Sequence, residues 1–96
     1  MFEIRQSEEG VIALSGRLDA SHAARLEETL DAVQGPATLD LAGLEYVSSL
    51  GLGALLKTQK RLMGRGAGLR LRGLSPHLRE VFRFSGFDRI FEIEGA

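Results

Sequence analysis

The chain contains no cysteine. A disulfide framework, a thiolate zinc site and a cysteine nucleophile are therefore all excluded. Long apolar runs are missing too. Nothing approaches the roughly 18 residues needed to cross a bilayer, and the opening FEIRQSEEG has no signal-peptide pattern. A cytoplasmic location without membrane insertion is expected.

Catalytic signals are equally scarce. His22 and His77 each fall at the start of a helical pattern, with no second histidine or carboxylate at metal-ligand spacing. Y-V-S-S-L-G, around Ser48 and Ser49, lacks the N-terminal glycine of a G-x-S-x-G nucleophile elbow. Gly51-x-Gly53 falls short of G-x-G-x-x-G, and no G-x-x-x-x-G-K-[ST] loop occurs. Gly64, Gly66 and Gly68 follow a helix and precede a strand, the wrong polarity for a helix N-terminal phosphate cradle. No enzymatic activity, cofactor or metal is expected.

What is present is ordinary globular material: 96 residues, 44% hydrophobic and 26% charged, enough for a single domain over residues 1–96 with one core. Net charge is −1, but unevenly divided. Met1 to Ser48 holds three basic and nine acidic residues, Ser49 to Ala96 nine basic and four acidic, giving −6 and +5. Such asymmetry can flag nucleic-acid binding. Here both halves must interleave in one small core, and Lys57, Lys60 and Arg61 fill the solvent face of a helix without interleaved aromatics. No direct nucleic-acid partner is expected.

Phe2 to Gln6 and Val11 to Leu14 alternate apolar and polar residues around Glu8-Glu9-Gly10, which predicts a β-hairpin. Ser21 to Val33 carries Ala23, Leu26, Leu30 and Val33 on one stripe and Arg25, Glu27, Glu28 and Asp31 opposite, an amphipathic helix capped by Asp19 or Ser21. Gln34-Gly35-Pro36 stops it. After a central strand–helix unit, Gly64 to Gly68 reads as a flexible break, and Leu69 to Leu74 as a strand with one buried face. Ser75-Pro76 opens a third helix with the stripe Leu78, Val81 and Phe82, ended by Ser85-Gly86. Phe87, Ile90, Phe91 and Ile93 close the chain as an apolar tail or edge strand. The order is ββαβαβα plus a short C-terminal segment. An α/β fold follows, a mixed β-sheet with an antiparallel N-terminal hairpin, otherwise mainly parallel and flanked by helices.

The central unit runs from Thr38 to Met63. Leu39, Leu41 and Leu44, with Tyr46 and Val47, form a buried strand and its exit; Leu52, Leu55, Leu56, Leu62 and Met63 then recur at helical spacing. Ser48 and Ser49 sit at the turn between them. The first N–H groups of a helix lack intrahelical partners and carry its positive dipole end, so either serine can cap them and a phosphate there would be favoured. Gly51 and Gly53 each cost a helix about 0.5–1 kcal/mol relative to alanine, which implies a close approach to the backbone. Tight packing on the protein's own sheet would account for it, and so would access for a partner or modifying enzyme.

G-R-L-D-A at Gly16 to Ala20, L-D-L-A-G-L-E-Y-V-S-S-L-G-L-G-A-L-L at Leu39 to Leu56 and L-S-P-H-L-R-E-V-F-R-F-S-G-F-D-R-I-F at Leu74 to Phe91 resemble the STAS family over essentially the whole chain. The family includes anti-sigma factor antagonists and the cytoplasmic ends of sulfate transporters. In the antagonist branch, D-[ST]-[SA]-G-[LI]-G marks the central turn, and the serine two residues before its first glycine is phosphorylated by an anti-sigma factor that is itself a serine kinase. The resemblance implies Ser49 as that acceptor. It also implies a partner switch: the unmodified protein captures the anti-sigma factor and frees the sigma factor, and phosphorylation reverses this. Ser48 stands where the family has aspartate, and Leu50 where it has a small residue. Serine caps a helix about as well as aspartate, and Ser48 becomes a second candidate acceptor. Asp19, Ser48, Ser49, Leu50, Gly51 and Gly53 are the partner-binding candidates. An alternative within the family is a stand-alone STAS subunit of an ABC-type lipid transport complex, docking through the same helix face. Oligomeric state is left open.

Overall fold

The computed structural model describes residues 1–95. Strands β1 (Phe2–Glu8) and β2 (Val11–Leu18) form the antiparallel hairpin; β3 (Ala37–Val47), β4 (Leu69–Arg72) and β5 (Glu92–Ile93) follow, each parallel to its predecessor. Spatial order equals chain order, β1 to β5. Helices α1 (Ala23–Asp31), α2 (Ser49–Met63) and α3 (Pro76–Ser85) occupy the crossovers, as parallel neighbours require.

Ile12, Leu39 and Leu71 are register partners, and with Leu14, Leu41 and Leu69 they make one fully buried sheet face. Period-2 alternation puts Arg5, Ala13, Asp40 and Arg72 in register on the other face, exposed or half-buried. The sheet is thus covered on one side only. Leu26 and Leu30 of α1, Ala54, Leu55 and Leu62 of α2, and Leu78 and Phe82 of α3 join the strands in a single hydrophobic cluster. Phe82 meets Phe87 and Phe91 edge-on, at centroid distances of 6.4 and 5.8 Å, which seals the C-terminal segment against α3.

Gln59 is buried, and its side chain is fully engaged. Its Nε2 donates to Ile90 O at 2.8 Å and its Oε1 accepts from Leu69 N at 2.6 Å, tying α2 to β4 and to the C-terminal segment. Charged side chains join the two halves of the chain. Lys57 pairs with Glu27, and Arg72 with Asp40 at 3.3 Å and Glu8 at 3.4 Å. Arg61 donates to Leu30 O in the last turn of α1 and to Val33 O just beyond it, both at 2.9 Å.

The expected architecture and element order hold, with five local differences. Asp19 caps a 3-10 turn, Ala20–His22; α1 itself begins at Ala23 with no side-chain cap. β2 continues to Leu18 and β3 to Val47, because parallel pairing between them overrides the weak β propensity of Gly16, Asp40 and Gly43. The buried stripe of α2 is Gly51, Ala54, Leu55, Thr58, Gln59 and Leu62, whereas Met63 faces solvent. Gly64 to Gly68 is a tight helix exit: Arg65 and Ala67 both donate to Leu62 O and Gly66 to Met63 O. The closing segment is a 3-10 turn, Phe87–Arg89, followed by the two-residue edge strand β5.

Candidate functional site

β2 and β3 end side by side, with Leu18 opposite Val47. The next residue on each strand is Asp19 and Ser48, so these two candidates are neighbours at one end of the sheet. Ser48 N donates to Leu18 O at 2.8 Å, which locks the start of α2 to the end of β2. The extended backbone of Ser48 (φ −82°, ψ 168°) turns its Oγ onto the helix, where it accepts from Gly51 N at 3.1 Å. Ser48 is the N-cap, and it is half-buried.

Ser49 is the first residue of α2 and is exposed, as is Leu50 at 60%. Among the described residues the Ser49 hydroxyl has no hydrogen bond. The first turn of α2 holds no acidic residue, so no carboxylate of the helix itself offsets the positive end of its dipole beside Ser49.

The two glycines divide. A Cβ on Gly51 would meet Leu18 Cγ at 2.7 Å and Val47 Cγ2 at 3.1 Å, whereas one on Gly53 would meet nothing within 4 Å. Gly51 is the close approach of α2 to its own sheet, and Gly53 is open to the outside.

Asp19 accepts from Ser21 N at 3.1 Å and from Ser21 Oγ at 2.6 Å, with His22 Nε2 at 3.8 Å. The Ser21 hydroxyl, and secondarily the nearby His22, hold the Asp19 carboxyl below its ordinary value. His22 is half-buried beside the Phe2 ring at 5.4 Å, while His77 is exposed. The structure thus gathers Asp19, Ser48, Ser49 and Leu50 at one edge, turns Gly51 inward and leaves Gly53 facing out. Sequence reading missed Arg17 and Tyr46. They are register partners on the uncovered sheet face just before Asp19 and Ser48, and the guanidinium lies 4.4 Å from the ring centroid. Aligning G-R-L-D with E-Y-V-S as parallel strand ends would have found them.

The rest of the surface offers less. A recess of about 510 Å³ lies at the opposite end of the sheet around Gly10, Ala37, Gly68 and Arg70. Its Gln59 is already hydrogen-bonded and its Arg70 pairs with Glu92. No group of three histidines or carboxylates converges among the described residues, and no helix is long and apolar enough to cross a membrane.

A family model described as "Mlab, STAS domain" matches residues 1–93. The chain belongs to the STAS domain family. Bordetella bronchiseptica BtrV, named provisionally as an anti-sigma factor antagonist, is 38% identical to this STAS domain over 90 residues, 90% of this chain and 78% of its own. The anti-sigma-B factor antagonist of Listeria monocytogenes is 33% identical over 89 residues, 88% of this chain and 78% of its own. Among solved structures, an anti-sigma factor antagonist from Mycobacterium paratuberculosis superposes with a TM-score of 0.81 at 25% identity, covering 100% of this STAS domain and 86% of that chain. SpoIIAA, an anti-sigma factor antagonist known in two forms, shares the fold. Its unphosphorylated form gives a TM-score of 0.71 at 19% identity over 100% of this chain and 89% of its own. The phosphorylated form, from Bacillus, gives 0.70 at 21%, over 97% and 90%.

Proposed function

We propose that this chain, acting as a single STAS domain over residues 1–96, is a cytoplasmic, non-enzymatic anti-sigma factor antagonist. Its partner is an anti-sigma factor with serine kinase activity, and phosphorylation of Ser49 releases it. The names of its curated relatives support the antagonist reading. One observation carries the choice of acceptor: Ser48 Oγ is committed to Gly51 N, while the neighbouring Ser49 is exposed and lacks a hydrogen-bond partner among the described residues. Modifying Ser48 would disturb the cap. Modifying Ser49 leaves it in place and sets the phosphate in the positive field of the α2 N-terminus.

Phosphate adds about −1.5 to −2 charges and three acceptor oxygens. The fold tolerates this charge at the helix start. An interface lying flush on Ser49, Leu50 and Gly53, with Asp19 at its border, would not. Each 1.4 kcal/mol of lost complementarity weakens binding about tenfold, so a modest penalty is enough for a switch.

The test is a pull-down from the native cells with Ser49→Ala and Ser49→Asp baits, followed by mass spectrometry. Capture of a small ATPase kinase on the alanine bait alone is the expected result. Transporter components on both baits equally would replace this reading with the transport-subunit alternative and leave Ser49 as a plain helix residue.

A further inference from the structure

β1 is an outer strand, and among the described residues no strand pairs with its free edge. Which of its peptide groups face that edge follows from the register. Met1 O accepts from Arg17 N, so the pairs Met1–Arg17, Glu3–Ser15 and Arg5–Ala13 are the hydrogen-bonded ones. The N–H and C=O groups of Phe2, Ile4 and Gln6 therefore point outward. Arg25 Nη2, donating to Phe2 O at 2.8 Å, marks that direction independently.

The side chains add a pattern. Glu3 and Arg5 are exposed on the uncovered sheet face and flank Ile4, which is half-buried on the helix side. An antiparallel copy of β1 centred on Ile4 sets Ile4 against its own counterpart in a hydrogen-bonded pair and Phe2 against Gln6 on either side, about four main-chain hydrogen bonds once Phe2 O, held by Arg25, is left out. In this register Glu3 of each copy lies directly opposite Arg5 of the other, in the closely spaced non-hydrogen-bonded positions. A register centred on Glu3 or on Arg5 would set like charges directly opposite each other, Glu3 against Glu3 or Arg5 against Arg5. Charges on an edge strand ordinarily repel strand addition, and here they admit one alignment.

We infer that a second copy of this chain adds across β1, antiparallel about a two-fold axis at Ile4, to make a continuous ten-stranded sheet. The added contact is a few bonds, two exposed ion pairs and one apolar pair. The dimer is therefore concentration-dependent and weakened by salt.

Sedimentation equilibrium of the full chain up to millimolar concentration, at low salt, tests this. The mass of the wild type is expected to rise toward the dimer. Glu3→Arg or Arg5→Glu alone should weaken association about tenfold or more, and the double variant Glu3→Arg/Arg5→Glu should recover it. Hydrogen exchange at the amides of Phe2 and Ile4 should slow as concentration rises. A wild type that stays monomeric at millimolar concentration overturns the inference. So does a dimer whose affinity is the same in all variants, since its contact then lies elsewhere, or a double variant no better than the single ones.

Discussion

Gly51 and Gly53 occupy one turn of the same helix, and alanine at each should act in opposite directions. The gain in helix propensity is the same for both, about 0.5–1 kcal/mol. At Gly53 nothing lies within 4 Å of the added methyl, so that gain is realised in full. At Gly51 the methyl would sit 2.7 Å from Leu18 Cγ and 3.1 Å from Val47 Cγ2, and Leu18 is fully buried with no room to withdraw. Overpacking of this kind costs about 1–3 kcal/mol, leaving Gly51→Ala neutral to about 2 kcal/mol destabilised. Because the propensity gains cancel, the difference between the variants isolates the packing penalty. Urea melts of the two proteins should differ by about 1–3 kcal/mol, and their midpoint temperatures by about 4–8 °C for each kcal/mol. Two variants stabilised equally would refute the assignment of Gly51 as the close approach. A second readout separates stability from recognition. Gly53→Ala, although more stable, should bind the proposed anti-sigma partner more weakly, since its methyl projects from the proposed interface.

The two serines should separate in the same way. Ser48→Ala removes the cap on Gly51 N and should cost about 1 kcal/mol in a urea titration, while Ser49→Ala stays within about 0.5 kcal/mol of wild type. Arg61→Met keeps an apolar stem but withdraws two donors from Leu30 O and Val33 O, and should destabilise by about 2 kcal/mol. Asp19 titrates lower in the folded protein than in the unfolded chain, where a carboxyl has a pKa of about 3.9. Its contribution is therefore complete above that value and lost as pH falls through the lower, folded one. Asp19→Asn, which keeps the cap acceptor, should melt below wild type at pH 7, and the gap should close with acidification; a gap independent of pH would show that charge plays no part.

Much of this arrangement is legible in the residues themselves. Leu39, Leu41 and Leu44 before Ser48, and Leu52, Leu55 and Leu62 after it, mark a strand running into a helix, because the apolar period changes there from 2 to 3.6. What stays hidden depends on partners remote in sequence. Gly16 and Gly43 look like strand breakers until β2 and β3 lie side by side, when Ser15 and Gly43 become register neighbours. Gly51 and Gly53 look alike along the chain, and only the position of Leu18, more than thirty residues earlier, tells them apart. Likewise, Ser48 and Ser49 are equal candidates by spacing. The turn at Ser48 decides which hydroxyl is occupied, and that turn depends on a bond to Leu18 O.

The ion pairs that join the two halves also bear on how the chain assembles. The first 48 residues carry −6 and include β1, β2, α1 and β3; the cations Lys57, Arg61 and Arg72 that meet them all come later. During synthesis from the N-terminus the acidic half emerges first, self-repelling and with the buried face of its sheet uncovered. The arrival of α2 supplies Leu55 and Leu62 for that face, Lys57 for Glu27, and Arg61 for the carbonyls of Leu30 and Val33. The uneven charge read along the sequence is thus met by the same helix that closes the core and carries the proposed switch.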